Sequence, residues 1–264
     1  MDLQLDGKRA FISGASRGLG YATARALAQE GALLAINSRS SEAVQAAAQA
    51  LAAEAGRPGF YAIPGDVSKP AVPEQVIARA VEALGGLDIL ITNSGGPPSG
   101  RFETFDDAAW QKALDLNLLS HVRLIRAALP HLRRSPAPSV LTITSYSVKQ
   151  PIPNLVLSNS VRAATVGLTK SLALELGADG IRLNSILPGW TETERVYELM
   201  RARAAASGAS LEEEFDKQAK DSPLGRMGRP EEFAKAAAFF VSPAASYITG
   251  VMLTVDGGMY KGTL

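Results

Sequence analysis

Ser13-Gly14-Ala15-Ser16-Arg17-Gly18-Leu19-Gly20 is the stretch that decides the fold, because it lies between an apolar run at 9–13 and an amphipathic one at 19–30. Glycines in such a strand-to-helix turn allow a tight bend and a close approach of backbone to phosphate. The free N–H groups of the helix start then bind the anion. The same alternation repeats outward along the chain. Short apolar runs at 33–37, 60–64, 89–93, 140–145, 182–187 and 252–255 read as strands. Between them, 42–55, 73–84, 106–132, 155–176 and 231–241 read as helices. Strands separated by helices make βαβ units and a parallel sheet. The expected fold is therefore α/β, a single Rossmann domain over residues 1–264 with a seven-stranded, doubly wound parallel sheet and helices on both faces. Pro230 followed by Glu231 and Glu232 marks a helix start, since proline suits the first position and acids suit the positive end of the dipole.

Composition narrows the chemistry. With 264 residues, 46% of them hydrophobic, the chain can bury one large core. Twenty-seven basic and 26 acidic residues leave a net charge of +1, so no broad field points to nucleic acid or to an anionic membrane. Cysteine is absent, which removes disulfides, thiolate nucleophiles and cysteine-based zinc sites together. The two histidines, His121 and His131, argue against a catalytic metal centre, and His121 is expected on a helix face far from any cofactor. Met1 to Leu5 lacks the basic start and apolar run of a signal peptide, and no apolar stretch approaches the roughly 20 residues of a membrane span. The expectation is a cytoplasmic protein without a membrane partner.

The spacing Gly14-x-x-x-Gly18-x-Gly20 resembles the nucleotide turn of the short-chain dehydrogenase/reductase family, with Ser13 keeping the hydroxyl of the usual threonine. Further segments resemble the same family in the same order over residues 7–258. These are Asp66-Val67, Asn93-Ser94-Gly95-Gly96, Pro188-Gly189 with Thr193, Pro223-Leu224-Gly225-Arg226, and Ile248-Thr249-Gly250 with Asp256-Gly257-Gly258. The resemblance implies a nicotinamide cofactor held by Gly14, Ser16, Arg17, Gly18, Leu19, Gly20, Ser38, Arg39, Asp66, Val67, Asn93, Gly95, Arg162, Pro188, Gly189 and Thr193. At the end of the second strand, Asn37-Ser38-Arg39 stands where an acid would bind an unphosphorylated ribose. Arg17 and Arg39 can instead pair with a 2′-phosphate, so NADP(H) is preferred over NAD(H). The plain alternative is that both arginines are solvated surface charges.

The family's catalytic residues are Asn, Ser, Tyr and Lys. Asn117 matches the helix asparagine, although a buried asparagine bonded to backbone would read the same way. Ser145, closing Leu141-Thr142-Ile143-Thr144-Ser145, matches the serine that steadies the substrate oxygen. Thirteen positions further on, the expected Tyr-x-x-x-Lys pair reads Ser158-Asn159-Ser160-Val161-Arg162. The run Ala163-Ala164-Thr165-Val166-Gly167-Leu168-Thr169-Lys170 resembles the segment after the family lysine and fixes that register from the other side. Four residues apart, Ser158 and Arg162 share one helix face. A serine hydroxyl is a far weaker acid than a phenol, and arginine does not pass a proton along. Tyr146, directly after Ser145, is a candidate for the lost role; the alternative is a packed tyrosine with its hydroxyl at the surface. Residues 190–222 would form a substrate flap. In it Leu199, Met200, Leu211 and Phe215 face either an apolar substrate or each other.

Two readings follow. One is an NADP-dependent reductase of a small carbonyl or alcohol substrate, similar to the 3-oxoacyl-carrier-protein reductases, with an altered proton path. The other is an NADP(H)-binding sensor or structural protein. The resemblance also implies a homotetramer.

Overall fold

In the computed structural model, residues 1–263 are described. Among them, seven parallel strands form one sheet in the order β3-β2-β1-β4-β5-β6-β7. They are β1 Arg9–Ile12, β2 Leu33–Ser38, β3 Phe60–Pro64, β4 Ile89–Thr92, β5 Ser139–Ile143, β6 Arg182–Pro188 and β7 Met252–Val255. Each pairing is in parallel register, such as Phe11 with Ala35 on one side and with Leu90 on the other. The order reverses between β1 and β4. Helices α1 (Gly18–Gln29), α2 (Ser41–Ala55) and α3 (Val72–Leu84) follow the first three strands. After β4 come α4 (Asp107–Leu114) and α5 (Ser120–Leu132); α6 (Val156–Glu175) follows β5, α7 (Glu194–Ser207) and α8 (Leu211–Lys220) follow β6, and α9 (Pro230–Val241) precedes β7.

Strand side chains alternate between faces, and the core divides accordingly. Ala10, Ile12, Leu34, Ile36, Ile89, Ile91, Leu141 and Ile143 point to the face covered by α1, α2 and α9. Phe11, Ala35, Leu90, Val140 and Leu183 point to the opposite face, under α3, α5 and α6. A sheet buried on both sides explains why these strands read as continuous apolar runs rather than as alternating ones. Each Leu or Ile withdrawn from water contributes about 1.5–3 kcal/mol.

One expectation is corrected. Residues 106–132 do not form a single helix: α4 and α5 are separated by a π-helical turn, Asp115–Leu119, with Asn117 at its centre. A one-residue widening of the helix redirects a side chain that regular 3.6-residue winding would point elsewhere, and such turns concentrate at functional sites. Periodicity alone does not register the extra residue, because the apolar pattern continues on both sides.

Candidate active site

A cleft of about 960 Å³ opens across the carboxyl ends of the strands, at the point where their order reverses. A smaller hollow of about 240 Å³ between α1 and α2, beside Arg25 and Glu54, collects no convergent polar groups of this kind. One end of the large cleft is built on the glycine turn. Gly14 has a φ of +60°, and a side chain there would crowd the Asn93 carbonyl at 2.9 Å. Gly20 lies against the Gly14 backbone, where a side chain would collide outright. Ser13 and Asn93 lock this turn to β4. The Ser13 hydroxyl donates to the Asn93 carbonyl at 2.8 Å and accepts from the Asn93 N–H at 2.9 Å. The Asn93 Nδ2 donates to the Gly14 carbonyl at 2.9 Å. No side chain caps the start of α1 and no acid lies in its first turn, so its first N–H groups and its dipole are free for an anion.

The adjoining walls supply two cations. Arg39 is exposed at the end of β2, and among the described residues no carboxylate lies within ion-pair distance of it. Arg17 stands 3.6 Å from Glu198, with both side chains half-exposed, a contact worth little in water. Ser38 spends its hydroxyl on the Ser40 carbonyl. Asn37 donates to the Ile63 and Gly65 carbonyls and so ties β2 to β3. Asp66 accepts from the Ser68 N–H and hydroxyl, with Val67 buried beside it.

At the other end, Ser145, Tyr146, Ser158 and Arg162 line the same cleft. Asn117 stands behind it. Its Nδ2 donates to the Ser94 hydroxyl and the Gly95 carbonyl, both at 2.8 Å, while its Oδ1 is buried without a partner. The Thr165 hydroxyl on α6 donates to the Asn117 carbonyl and fastens the π-turn to the helix that carries Ser158 and Arg162. Asn159 clasps the neighbouring loop by donating to the Ile152 carbonyl at 2.9 Å.

Arg162 is the most unusual group. It is 7% exposed, and its guanidinium donates to the carbonyls of Thr144 at 3.1 Å and Ile143 at 3.3 Å, with those of Ser94 and Gly95 at 3.4 and 3.5 Å. Among the described residues it has no carboxylate partner. Burial, together with the charge of nearby Arg195, lowers its pKa to about 10, which leaves it cationic at neutral pH. Ser158, 9% exposed, lies one helical turn before it.

Tyr146 is 7% exposed and belongs to an apolar cluster with Leu187, Trp190, Val196 and Met200. Burial, and then the charge of Asp221, raise its phenol above the usual range. Leu199 lines the cleft, whereas Met200, Leu211 and Phe215 pack into or against that cluster. Pro188, Gly189 and Thr193 line the cleft, with the Thr193 hydroxyl capping α7 by accepting from the Val196 N–H. His121, expected on a helix face far from the cofactor, lies on α5, is buried and does not line the cleft. It lies within 2.6 Å of the Thr92 hydroxyl, and burial followed by the Arg162 charge lowers its pKa to about 3.

Arg195 escaped the sequence reading. It lies on the first turn of α7, lines the cleft, and donates to the Pro97 carbonyl at 2.9 Å. An arginine at a helix start carries no motif, so only the docking of α7 over the cleft reveals it.

The chain matches the family described as Enoyl-(Acyl carrier protein) reductase over residues 14–260. It belongs to the short-chain dehydrogenase/reductase family. Among its relatives in that family is the 3-oxoacyl-[acyl-carrier-protein] reductase FabG of Chlamydia trachomatis, 32% identical over 252 residues, covering 96% of this chain and 97% of that protein. Dehydrogenase/reductase SDR family member 4 of Oryctolagus cuniculus is 34% identical over 258 residues, with 96% and 94% covered. L-sorbose reductase from Gluconobacter frateurii, solved with NADPH and L-sorbose, superposes with a TM-score of 0.94 at 30% identity over 99% of this chain and 100% of that one. A variant of actinorhodin polyketide ketoreductase, solved with NADPH, superposes with a TM-score of 0.91 at 29% identity over 97% and 98%. No helix among the described residues is long and apolar enough to cross a membrane.

Proposed function

We propose that this chain is an NADP(H)-dependent carbonyl reductase of the 3-oxoacyl type with an altered proton path, in which Ser158 and Arg162 replace the family's tyrosine and lysine. The observation that carries the reading is the shared cleft: the uncapped start of α1 and the Ser145, Ser158 and Arg162 side chains open into one continuous space. The glycine cradle and the free helix start fit a pyrophosphate. The unpaired Arg39 and the weakly held Arg17 fit a 2′-phosphate, and no acid at the end of β2 opposes one. Bound there, NADPH would supply a hydride.

The chain's own residues would manage the oxygen. Negative charge grows on a carbonyl oxygen as its carbon accepts hydride, and preorganised donors stabilise it. Ser145 and Ser158 offer hydroxyl donors, and Arg162 offers a fixed, buried positive charge; removing one such preorganised donor costs about 10²–10³ in rate. Because serine is a poor acid and Arg162 holds its proton, water entering the open cleft is the proposed proton source. Tyr146 is assigned to the wall, since its hydroxyl lies near Trp190, Asp221 and Asp256. Loss of turnover in Tyr146→Phe with intact NADPH binding would return the donor role to it. Residues 190–222, with α7 and α8 hinged at Gly208, are the proposed flap. A homotetramer in the cytoplasm remains part of the proposal by family resemblance.

Fluorescence titration with NADPH, followed by turnover on 3-oxoacyl thioesters, acetoacetate, simple ketones and quinones, tests the reading. Binding with turnover supports the reductase. Binding without turnover of any of them would favour a nucleotide sensor, the reading to which the missing phenol lends weight. Failure to bind would remove both.

A further inference from the structure

Two guanidinium groups face the catalytic end of the cleft: among the described residues Arg162 has no carboxylate partner, and Arg195 has only the half-exposed Glu198, which it shares with Arg17. Of the acids that line the whole cleft, Asp66 is engaged by Ser68 and Asp115 by Arg123 and Gln111. Glu194 lies beside Gly18, at the nucleotide end. The cations at the nucleotide end, Arg17 and Arg39, have an evident use in a dinucleotide phosphate. Arg195 has none.

Its geometry is that of a held but unfilled fork. Nη2 is anchored on the Pro97 carbonyl at 2.9 Å. The guanidinium lies along Gly96, where a Cβ would come within 3.4 Å of Nε and Nη2, so the missing side chain of Gly96 leaves it room. Its other neighbour is Glu198 at 3.6 Å, beyond hydrogen-bond reach and half-exposed. Ile152, Leu155, Trp190, Val196 and Leu199 form the apolar wall around this end. Such walls lower the local dielectric and so strengthen a charge-assisted, two-pronged bond to an anion. Arg195 and Arg162 are also close enough that the first disfavours the charge of the second. An anion between them relieves that repulsion, which neutral carbonyl groups do only in part.

We infer that the substrate carries a free carboxylate paired to Arg195, with its reacting carbonyl toward Ser145, Ser158 and Arg162. This rests on the reductase reading and specifies it: the substrate class is an oxo acid rather than its neutral ester or thioester. The carbonyl carbon gains the hydride that NADPH supplies, its oxygen gains a proton from water, and the products are a hydroxy acid and NADP⁺.

Calorimetric titration of the NADP⁺-saturated protein tests the inference without turnover, because the oxidised cofactor cannot reduce an oxo compound. The probes are acetoacetate and its methyl ester, each at low and at high sodium chloride. Acetoacetate is expected to bind at least about tenfold more tightly than the ester, with the difference shrinking in salt. In Arg195→Gln that preference should fall to near parity, with NADP⁺ affinity within about twofold of wild type. Equal binding of acid and ester, no binding of either, or a preserved preference in Arg195→Gln overturns the inference. So does a variant whose main loss is NADP⁺ affinity, which would make Arg195 a cofactor contact. Failure of the wild-type protein to take up NADP⁺ at all would instead sink the reductase reading.

Discussion

The two ends of the cleft differ in how their polar groups are spent. At the nucleotide end, Ser13, Asn93, Asn37 and Asp66 are committed to backbone or to each other and hold a turn whose ligand-facing groups are bare N–H donors. At the catalytic end a buried cation leans on four carbonyls, Asn117 leaves its Oδ1 without a partner, and Ser158 projects from the face of α6 that also carries Arg162. The first end is a tied-down cradle to which Arg17 and Arg39 add exposed charge. The second is a charged site in which Arg162 has no counter-charge among the described residues, and a buried cation so placed is costly.

Breaking the cradle should have the largest effect. Gly14→Val places a branched side chain at a φ of +60° and against Asn93, which should cost about 3 kcal/mol or more and abolish measurable NADPH binding in a fluorescence titration. Thermal denaturation of the same variant shows how much of the loss is global, because Ala15 in the turn is itself part of the sheet core. Next, Arg39→Ala should weaken NADPH by about tenfold to a hundredfold, the range for one charge-assisted bond of about 1.5–3 kcal/mol, while leaving NADH nearly unchanged. Equal loss for both cofactors would remove the 2′-phosphate from the comparison.

The catalytic end makes its own prediction through His121. Its folded pKa is lowered to about 3 from the usual 6.5, so below pH 6.5 the unfolded chain takes up a proton that the folded chain refuses. Its stabilising contribution is full above 6.5 and is lost as pH falls towards 3. Between pH 7 and pH 5 this amounts to about 2 kcal/mol of lost stability. Urea denaturation at the two pH values measures it, and His121→Gln should flatten the difference. The smallest effect belongs to α7, in the proposed flap. Thr193→Ala removes the cap of α7 at a cost of about 1 kcal/mol, read as about fivefold faster amide exchange in that helix.

Much of this was legible in the sequence, and the exceptions have physical causes. The strands and the helices at 19–30, 42–55, 73–84, 155–176 and 231–241 came from apolar runs and glycine turns and agree with the structure to within one or two residues, because a sheet buried on both faces writes its strands plainly, whereas α7 and α8 were read only as a flap without bounds of their own. The cofactor residues named from motif spacing line the cleft, apart from Gly20, which lies beneath Gly14. The π-turn at Asn117 was not visible, since one extra residue in a helix leaves the apolar pattern intact. Arg195 was not visible either, because its position over Gly96 depends on how α7 docks. His121 was placed only on a helix face away from the cofactor, and its burial beside Thr92 was not visible, since a lone histidine gives no sign of which helix face is buried.

Single-turnover oxidation of NADPH, comparing wild type with the double variant Ser158→Tyr/Arg162→Lys on acetoacetate and a simple ketone, tests the contrast between the two ends most directly. The account predicts NADPH affinity unchanged within about twofold and a rate of hydride transfer raised about a hundredfold by the restored acid. Equal rates in the two proteins, with equal NADPH binding, would contradict it, because the wild-type site would then already hold its proton donor.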